Sequence, residues 1–187
     1  MIFEGKVWKF GDNMNTDLML PGNHTIELAA RGMGTTPYEA ARQICMRANR
    51  LGWAAQVQDG DIVIGGYNFG CGSARKAPGV FQVLGVSAIL ADSISRLFFR
   101  IAIYLGMPVL ICEGVSQAFE EGDKAQVKIE TGEVINLTKG TKIQGEALAA
   151  DSPPMQILKA GGAISFIHQE MIGKQKKKVG LGKEIGN

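Results

Sequence analysis

The sequence predicts an α/β fold in which parallel strands alternate with helices and a β-hairpin region follows toward the C-terminal end. Three observations predict it. Short apolar runs at 61–66, 86–91 and 108–112 are separated by segments with helical spacing, which points to parallel pairing through right-handed crossovers. After Glu113 the texture changes to strict alternation over 125–130, a Thr131-Gly132 turn and a return over 133–137, the pattern of a hairpin. A chain of 187 residues, 45% hydrophobic and 20% charged, suits one soluble domain with a substantial core.

Residues 2–9 read as a first strand with partial alternation. A loop rich in Gly, Asn and Asp follows, Gly11-Asp12-Asn13-Met14-Asn15-Thr16-Asp17, closed by Leu18, Met19, Leu20 and Pro21-Gly22. Residues 25–33 are expected as a short helix and 37–51 as a better one, with Pro37 at its start, Ala40, Ala41, Ile44, Cys45 and Ala48 on one side, and Gly52 near its stop. The run 61–66 is a buried strand, 78–84 a helix, 86–91 a strand, 93–105 a helix and 108–112 a strand. Residues 154–160 read as a short helix stopped by Gly161-Gly162, followed by a last apolar run at 163–167. The domain is expected to span 1–173. From Lys174 the composition predicts a mobile basic tail, 174–187.

The net charge of +2 argues neither for nor against nucleic acid, and Lys174, Lys176, Lys177, Lys178 and Lys183 carry much of the positive charge. No apolar stretch has the length of a membrane span, and the opening residues lack the regions of a signal peptide. Cys45, Cys71 and Cys112 are odd in number and far apart, which predicts reduced thiols in a cytoplasmic protein. No Cys-x-x-Cys occurs, and His24 and His168 are distant. No metal or cluster site is therefore expected in this chain.

The most informative segment is Tyr67-Asn68-Phe69-Gly70-Cys71-Gly72-Ser73-Ala74-Arg75-Lys76-Ala77-Pro78. Glycines around Ser73 let the backbone approach a small ligand and aim N–H groups at it. Arg75 offers a planar fork for a carboxylate. A serine, amide donors and an arginine in one turn point to a small carboxylic acid. A glycine-rich turn with a capping serine fits the same residues.

Taken with four other blocks in order, this segment resembles the small subunits of the aconitase superfamily, in particular those of 3-isopropylmalate dehydratase and its homoaconitase-like relatives. The blocks are Gly11 to Asp17 with Pro21; Gly60-Asp61-Ile62-Val63-Ile64; Gly85-Val86-Ser87-Ala88-Ile89; and Phe98-Phe99-Arg100 through Gly106-Met107-Pro108-Val109. The resemblance covers roughly residues 5–168. It implies a swivelling β/β/α domain that caps a separate large subunit, with a C-terminal β-hairpin region. It also implies a [4Fe-4S] cluster held by that large subunit and none in this chain. The implied activity is that of a hydro-lyase that removes and re-adds water on a small 2-hydroxy diacid, by default 3-isopropylmalate, as in leucine biosynthesis. Homoaconitate, a methylated malate or maleate are alternative substrates.

In the same resemblance Ser73 takes the position of the base that removes a proton from the carbon beside a carboxylate, an alkoxide that needs local donors. Arg75 grips a substrate carboxylate and steadies the serine. Gly72 lets the backbone reach the substrate, and Asp17 orders the hydrogen-bond network or simply forms its own turn. Asn23 and His24 lie where relatives select the substrate's variable group, although a loop histidine is also an ordinary surface residue. Cys71 reads as inert packing, and Arg96 and Arg100 as facing solvent or the partner.

Two departures stand out. The turn is one residue shorter than the Gly-Ser-Ser-Arg-Glu-His-Ala-Pro common in relatives, and Lys76 replaces the acidic-histidine pair. Gly22-Asn23-His24-Thr25-Ile26 replaces the usual Arg-Tyr-Leu type of selectivity loop. Lys76 adds positive charge that suits an acidic substrate. The shortened turn also motivates a reading of another class, a non-catalytic binding or regulatory module on the same fold.

Overall fold

The computed structural model describes residues 1–20 and 43–184, with side chains through residue 173. Seven strands form one sheet in the order β4-β3-β2-β1-β5-β6-β7. They are β1 (Ile2–Lys9), β2 (Ile62–Gly65), β3 (Ala88–Ala91), β4 (Val109–Ile111), β5 (Lys124–Lys128), β6 (Glu133–Asn136) and β7 (Thr141–Gln144). The helices are α1 (Thr16–Met19), α2 (Ala77–Val83), α3 (Arg96–Leu105), α4 (Val115–Ala118), α5 (Pro153–Lys159) and α6 (Ala163–Glu184), with a one-turn 3-10 helix at Trp53–Ala55.

The expected parallel pairs are present: β2 with β3 and β3 with β4. Strand β1 joins the two halves of the sheet. Its end, Val7 to Lys9, runs parallel to β2, while Ile2 to Lys6 runs antiparallel to β5. Gly5 sits at the change of partner, where an added Cβ would lie 2.1 Å from the Gly60 carbonyl oxygen. Only glycine permits that approach. Strands β2 and β3 are buried at every residue, whereas β5 and β6 bury alternate ones, the difference between a strand covered on both faces and one covered on one. Beneath the parallel half, Trp53 meets Trp8, Phe10 and Phe81 edge-on at 6.2, 5.3 and 5.7 Å between ring centres.

Two expectations are corrected, and two elements stand beside them that no expectation covered. The helix expected at 93–105 begins at Arg96, because the chain before it stays extended. Phe69 N–H donates to Ser93 O, and Ser95 N–H donates to Phe69 O. The helix expected at 37–51 holds only residues 43 and 44 among the described ones. Met46 then turns left-handed (φ 58°) and donates its N–H to Met19 O. Strand β7 was not expected; it is an edge strand with no buried residue and no apolar alternation. Finally, the apolar run at 163–167 opens a helix that continues through the lysine-rich segment to Glu184, a stretch rich in good helix formers. Helix α5 matches its expectation, capped by Ser152, whose Oγ accepts the Met155 N–H. The helix expected at 25–33 lies outside the described residues.

Candidate active site

Two backbone segments build the site, and they lie side by side. The first runs from Gly11 into α1 and the second from β2 through Gly72 to Arg75. They are laced together by Asn13 N–H to Tyr67 O (2.8 Å), Gly70 N–H to Met14 O (2.8 Å) and Thr16 N–H to Cys71 O (2.8 Å). Asn15 caps α1, its Oδ1 accepting the Asp17 N–H at 2.7 Å. The second segment needs left-handed backbone at Gly70 (φ 76°) and Gly72 (φ 98°). At Gly72 a Cβ would stand 2.5 Å from Asn15 Oδ1, so the cap of α1 and the turn before Ser73 fit only because Gly72 has no side chain. Behind the turn, Phe69 and Phe98 pack edge-on at 5.5 Å.

This lacing brings Asp17, Ser73 and Arg75 together across 56 and 58 residues of sequence. Ser73 Oγ donates to Asp17 Oδ1 at 2.6 Å, and Arg75 Nε donates to the same oxygen. The Ser73 hydroxyl and then the Arg75 guanidinium hold the Asp17 carboxyl below its usual range, so it is ionised at neutral pH. The Ser73 side chain thus bonds to Asp17, and the N-cap position of α2 falls to Lys76, which makes no side-chain cap. The turn at the start of α1 is capped by the Asn15 side chain, while the Asp17 carboxylate faces Ser73 and Arg75. Ser73 is exposed, and the Asp17 and Arg75 side chains are 47% and 34% exposed, so all three are accessible to a ligand. Among the described residues the Arg75 side chain has this one recorded partner.

Gly72 and Lys76 flank the trio, both exposed, while Cys71 is half-buried. Arg96 and Arg100 are exposed on α3. Asn23 and His24 lie outside the described residues. Sequence reasoning missed Asn15 and Thr16. Their signal was an Asn-x-Asp spacing at a helix start, which is common and carries no chemistry alone. A cleft of about 540 Å³ opens at the carboxyl ends of the parallel strands, lined by Tyr67, Asp92, Ser93, Ile94, Glu113 and Glu146 among others. None of the trio lines it. Among the described residues no three His, Cys, Asp or Glu side chains form a group able to hold a metal ion, so those residues offer no ligand set for a cluster.

The fold is a mixed α/β sheet with a glycine-rich serine–arginine turn after a buried parallel strand, and comparison with known proteins gives its family. Residues 42–111 match the family model of the aconitase C-terminal domain. The chain is 39% identical over 175 residues to the isopropylmalate/citramalate isomerase small subunit of Methanocaldococcus jannaschii, covering 93% of this chain and 98% of that protein. It is 38% identical over 173 residues to the 3-isopropylmalate dehydratase small subunit of Caldicellulosiruptor bescii, covering 91% and 98%. The crystal structure of 3-isopropylmalate dehydratase from Methanocaldococcus jannaschii superposes with a TM-score of 0.83 at 30% identity, covering 95% of this chain and 99% of that one. The chain belongs to the aconitase superfamily, among the small subunits of the 3-isopropylmalate dehydratase type.

Proposed function

We propose that this chain is the small subunit of a hydro-lyase that dehydrates and rehydrates a small 2-hydroxy diacid, with 3-isopropylmalate as the first substrate to test. The observation that carries the reading is the meeting of Ser73, Asp17 and Arg75 on an accessible surface. Ser73 acts as the base, taking the proton from the carbon next to a substrate carboxylate as the C–O bond to the hydroxyl on the neighbouring carbon breaks. It returns a proton to carbon in the hydration direction. A free serine is a poor base, so its reactive form is an alkoxide that has lost its proton to solvent at this exposed site. Asp17 orients the hydroxyl, and the Arg75 guanidinium with the N–H groups of the turn stabilises the charge. Arg75 binds the substrate carboxylate through its terminal nitrogens while Nε stays on Asp17. Exposed backbone at Gly72 and the charge of Lys76 add to the pull on an acidic ligand.

In this reading a [4Fe-4S] cluster held by a large partner subunit would supply Lewis-acid chemistry at the substrate hydroxyl. The small-subunit names of the relatives support the need for that partner. One relative's name includes citramalate, a methylated malate, which favours testing that substrate beside the default. Asn23 and His24 are the proposed readers of the variable group. Exchanging Asn23-His24-Thr25 should then change relative rates among diacids more than stability.

The experiment is anaerobic reconstitution with a cluster-loaded large subunit, assayed over a panel of 2-hydroxy diacids. Turnover that falls by several orders of magnitude in Ser73→Ala, with assembly intact, is the expected result. An intact, cluster-loaded complex that turns over no 2-hydroxy diacid would overturn the reading. An unchanged rate in Ser73→Ala would favour the non-catalytic module.

A further inference from the structure

We propose that Thr16 is a positioning residue for Ser73, its hydroxyl clamping the serine's own carbonyl and so setting where the reactive oxygen points. The inference rests on the reading of Ser73 as the reactive group. Thr16 is 1% exposed, a buried hydroxyl beside an exposed site. A buried hydroxyl needs a partner, and Thr16 Oγ1 finds it by donating to Ser73 O at 2.8 Å. The same carbonyl accepts the Arg75 N–H at 2.8 Å. Ser73 O is therefore a node that ties the Thr16 side chain to the backbone of Arg75.

Thr16 holds the turn at a second point. Its N–H donates to Cys71 O at 2.8 Å. Two carbonyls, at Cys71 and Ser73, are thus pinned to one residue, with left-handed Gly72 (φ 98°) between them. Glycine is the residue whose backbone drifts most easily, so an unpinned turn would let the Ser73 Cα–Cβ direction wander. Asp17, the next residue after Thr16, receives the Ser73 Oγ–H at 2.6 Å. One short stretch of α1 therefore grips the serine at both ends, backbone through Thr16 and side chain through Asp17. Without the Thr16 clamp the Oγ–Oδ1 contact would depend on a loose glycine turn.

The test compares Thr16→Val, which keeps the shape and deletes the hydroxyl, with Thr16→Ser, which keeps the hydroxyl. In the reconstituted complex Thr16→Val should lower kcat roughly 10- to 100-fold with KM little changed, the cost of a misplaced reacting group, and Thr16→Ser should restore most of it. On a Ser73→Ala background Thr16→Val should cost nothing further, because its effect acts through Ser73. A purely structural role would give the same proportional loss on both backgrounds, or a loss in Thr16→Ser as large as in Thr16→Val; either result overturns the proposal. A readout independent of turnover uses the isolated chain: the ¹³C shift of the Ser73 carbonyl should move in Thr16→Val and stay near the parent value in Thr16→Ser. An unmoved shift in Thr16→Val refutes the clamp even if the hydro-lyase reading stands. A parent complex without turnover refutes that reading while the carbonyl shift still decides whether the clamp exists.

Discussion

Gly70→Ala should destabilise the protein by an amount that can be assembled from two separate costs, one of backbone conformation and one of steric contact. Gly70 adopts φ 76° and has Phe98 directly above it: an added Cβ would lie 2.2 Å from Phe98 Cγ, 2.4 Å from Cδ2 and 2.5 Å from Cβ. Left-handed backbone costs a non-glycine residue roughly 1–2 kcal/mol, and overfilling a packed core costs about 1–3 kcal/mol. The sum is about 2–5 kcal/mol, which for a domain of this size lowers Tm by about 4–20 °C. Gly140→Ala is the control, since Gly140 is also left-handed (φ 70°) but has nothing within 4 Å of the added Cβ. It should show the backbone part alone. Denaturant titration of the isolated chain measures both, and the difference between them is the steric cost of meeting Phe98. Phe98→Ala removes two of the three clashing atoms but keeps the Cβ at 2.5 Å. The two substitutions should therefore couple, by about 0.5–3 kcal/mol, with partial relief. Equal losses in Gly70→Ala and Gly140→Ala, or strict additivity with Phe98→Ala, would refute the idea that the turn before Ser73 is wedged against α3.

Three further outcomes are expected. Arg75→Lys keeps the charge but loses the planar fork, so KM for the diacid should rise roughly 10- to 100-fold, the worth of one charge-assisted bond; steady-state kinetics with an unchanged KM would count against Arg75 as the carboxylate grip. Glu130 bonds to Lys159 Nζ at 2.8 Å and to the Met1 ammonium at 2.7 Å, and these partners, Lys159 first, lower its carboxyl from 4.5 to about 2. Because the folded value is depressed, its stabilisation is present above about pH 4.5 and is lost as pH falls toward about 2. Denaturant midpoints of the parent and Glu130→Gln should converge over that window, and a constant gap would show the pairs to be inert. Cys45 is 2% exposed and burial pushes its thiol up; burial and then the Asp92 charge push Cys112 up to about 12. A thiol reagent on the native chain should therefore modify half-buried Cys71 first, with the other two reacting only on unfolding; rapid labelling of all three would refute the packing.

The sequence by itself determined the alternating α/β order, because buried parallel strands are written as unbroken apolar runs and their crossovers as helical spacing. It determined the hairpin β5–β6, whose faces alternate residue by residue, and it marked the Ser73–Arg75 turn through its glycines. Features that depend on partners distant in the chain were decided only by tertiary structure. Strand β1 reads as one strand, yet it pairs in parallel with β2 and in antiparallel with β5, a switch that depends on the close approach of Gly5 to Gly60. Strand β7 owes its existence to the open edge of β6 and not to its own polar residues. The start of α3 moves to Arg96 because Phe69 claims the backbone of Ser93 and Ser95. The meeting of Asp17 with Ser73 and Arg75 belongs to the same kind. Local pattern names each residue, but the hydrogen bonds that set Asp17 against them join segments more than fifty residues apart, and no local periodicity encodes which of several acidic side chains will arrive.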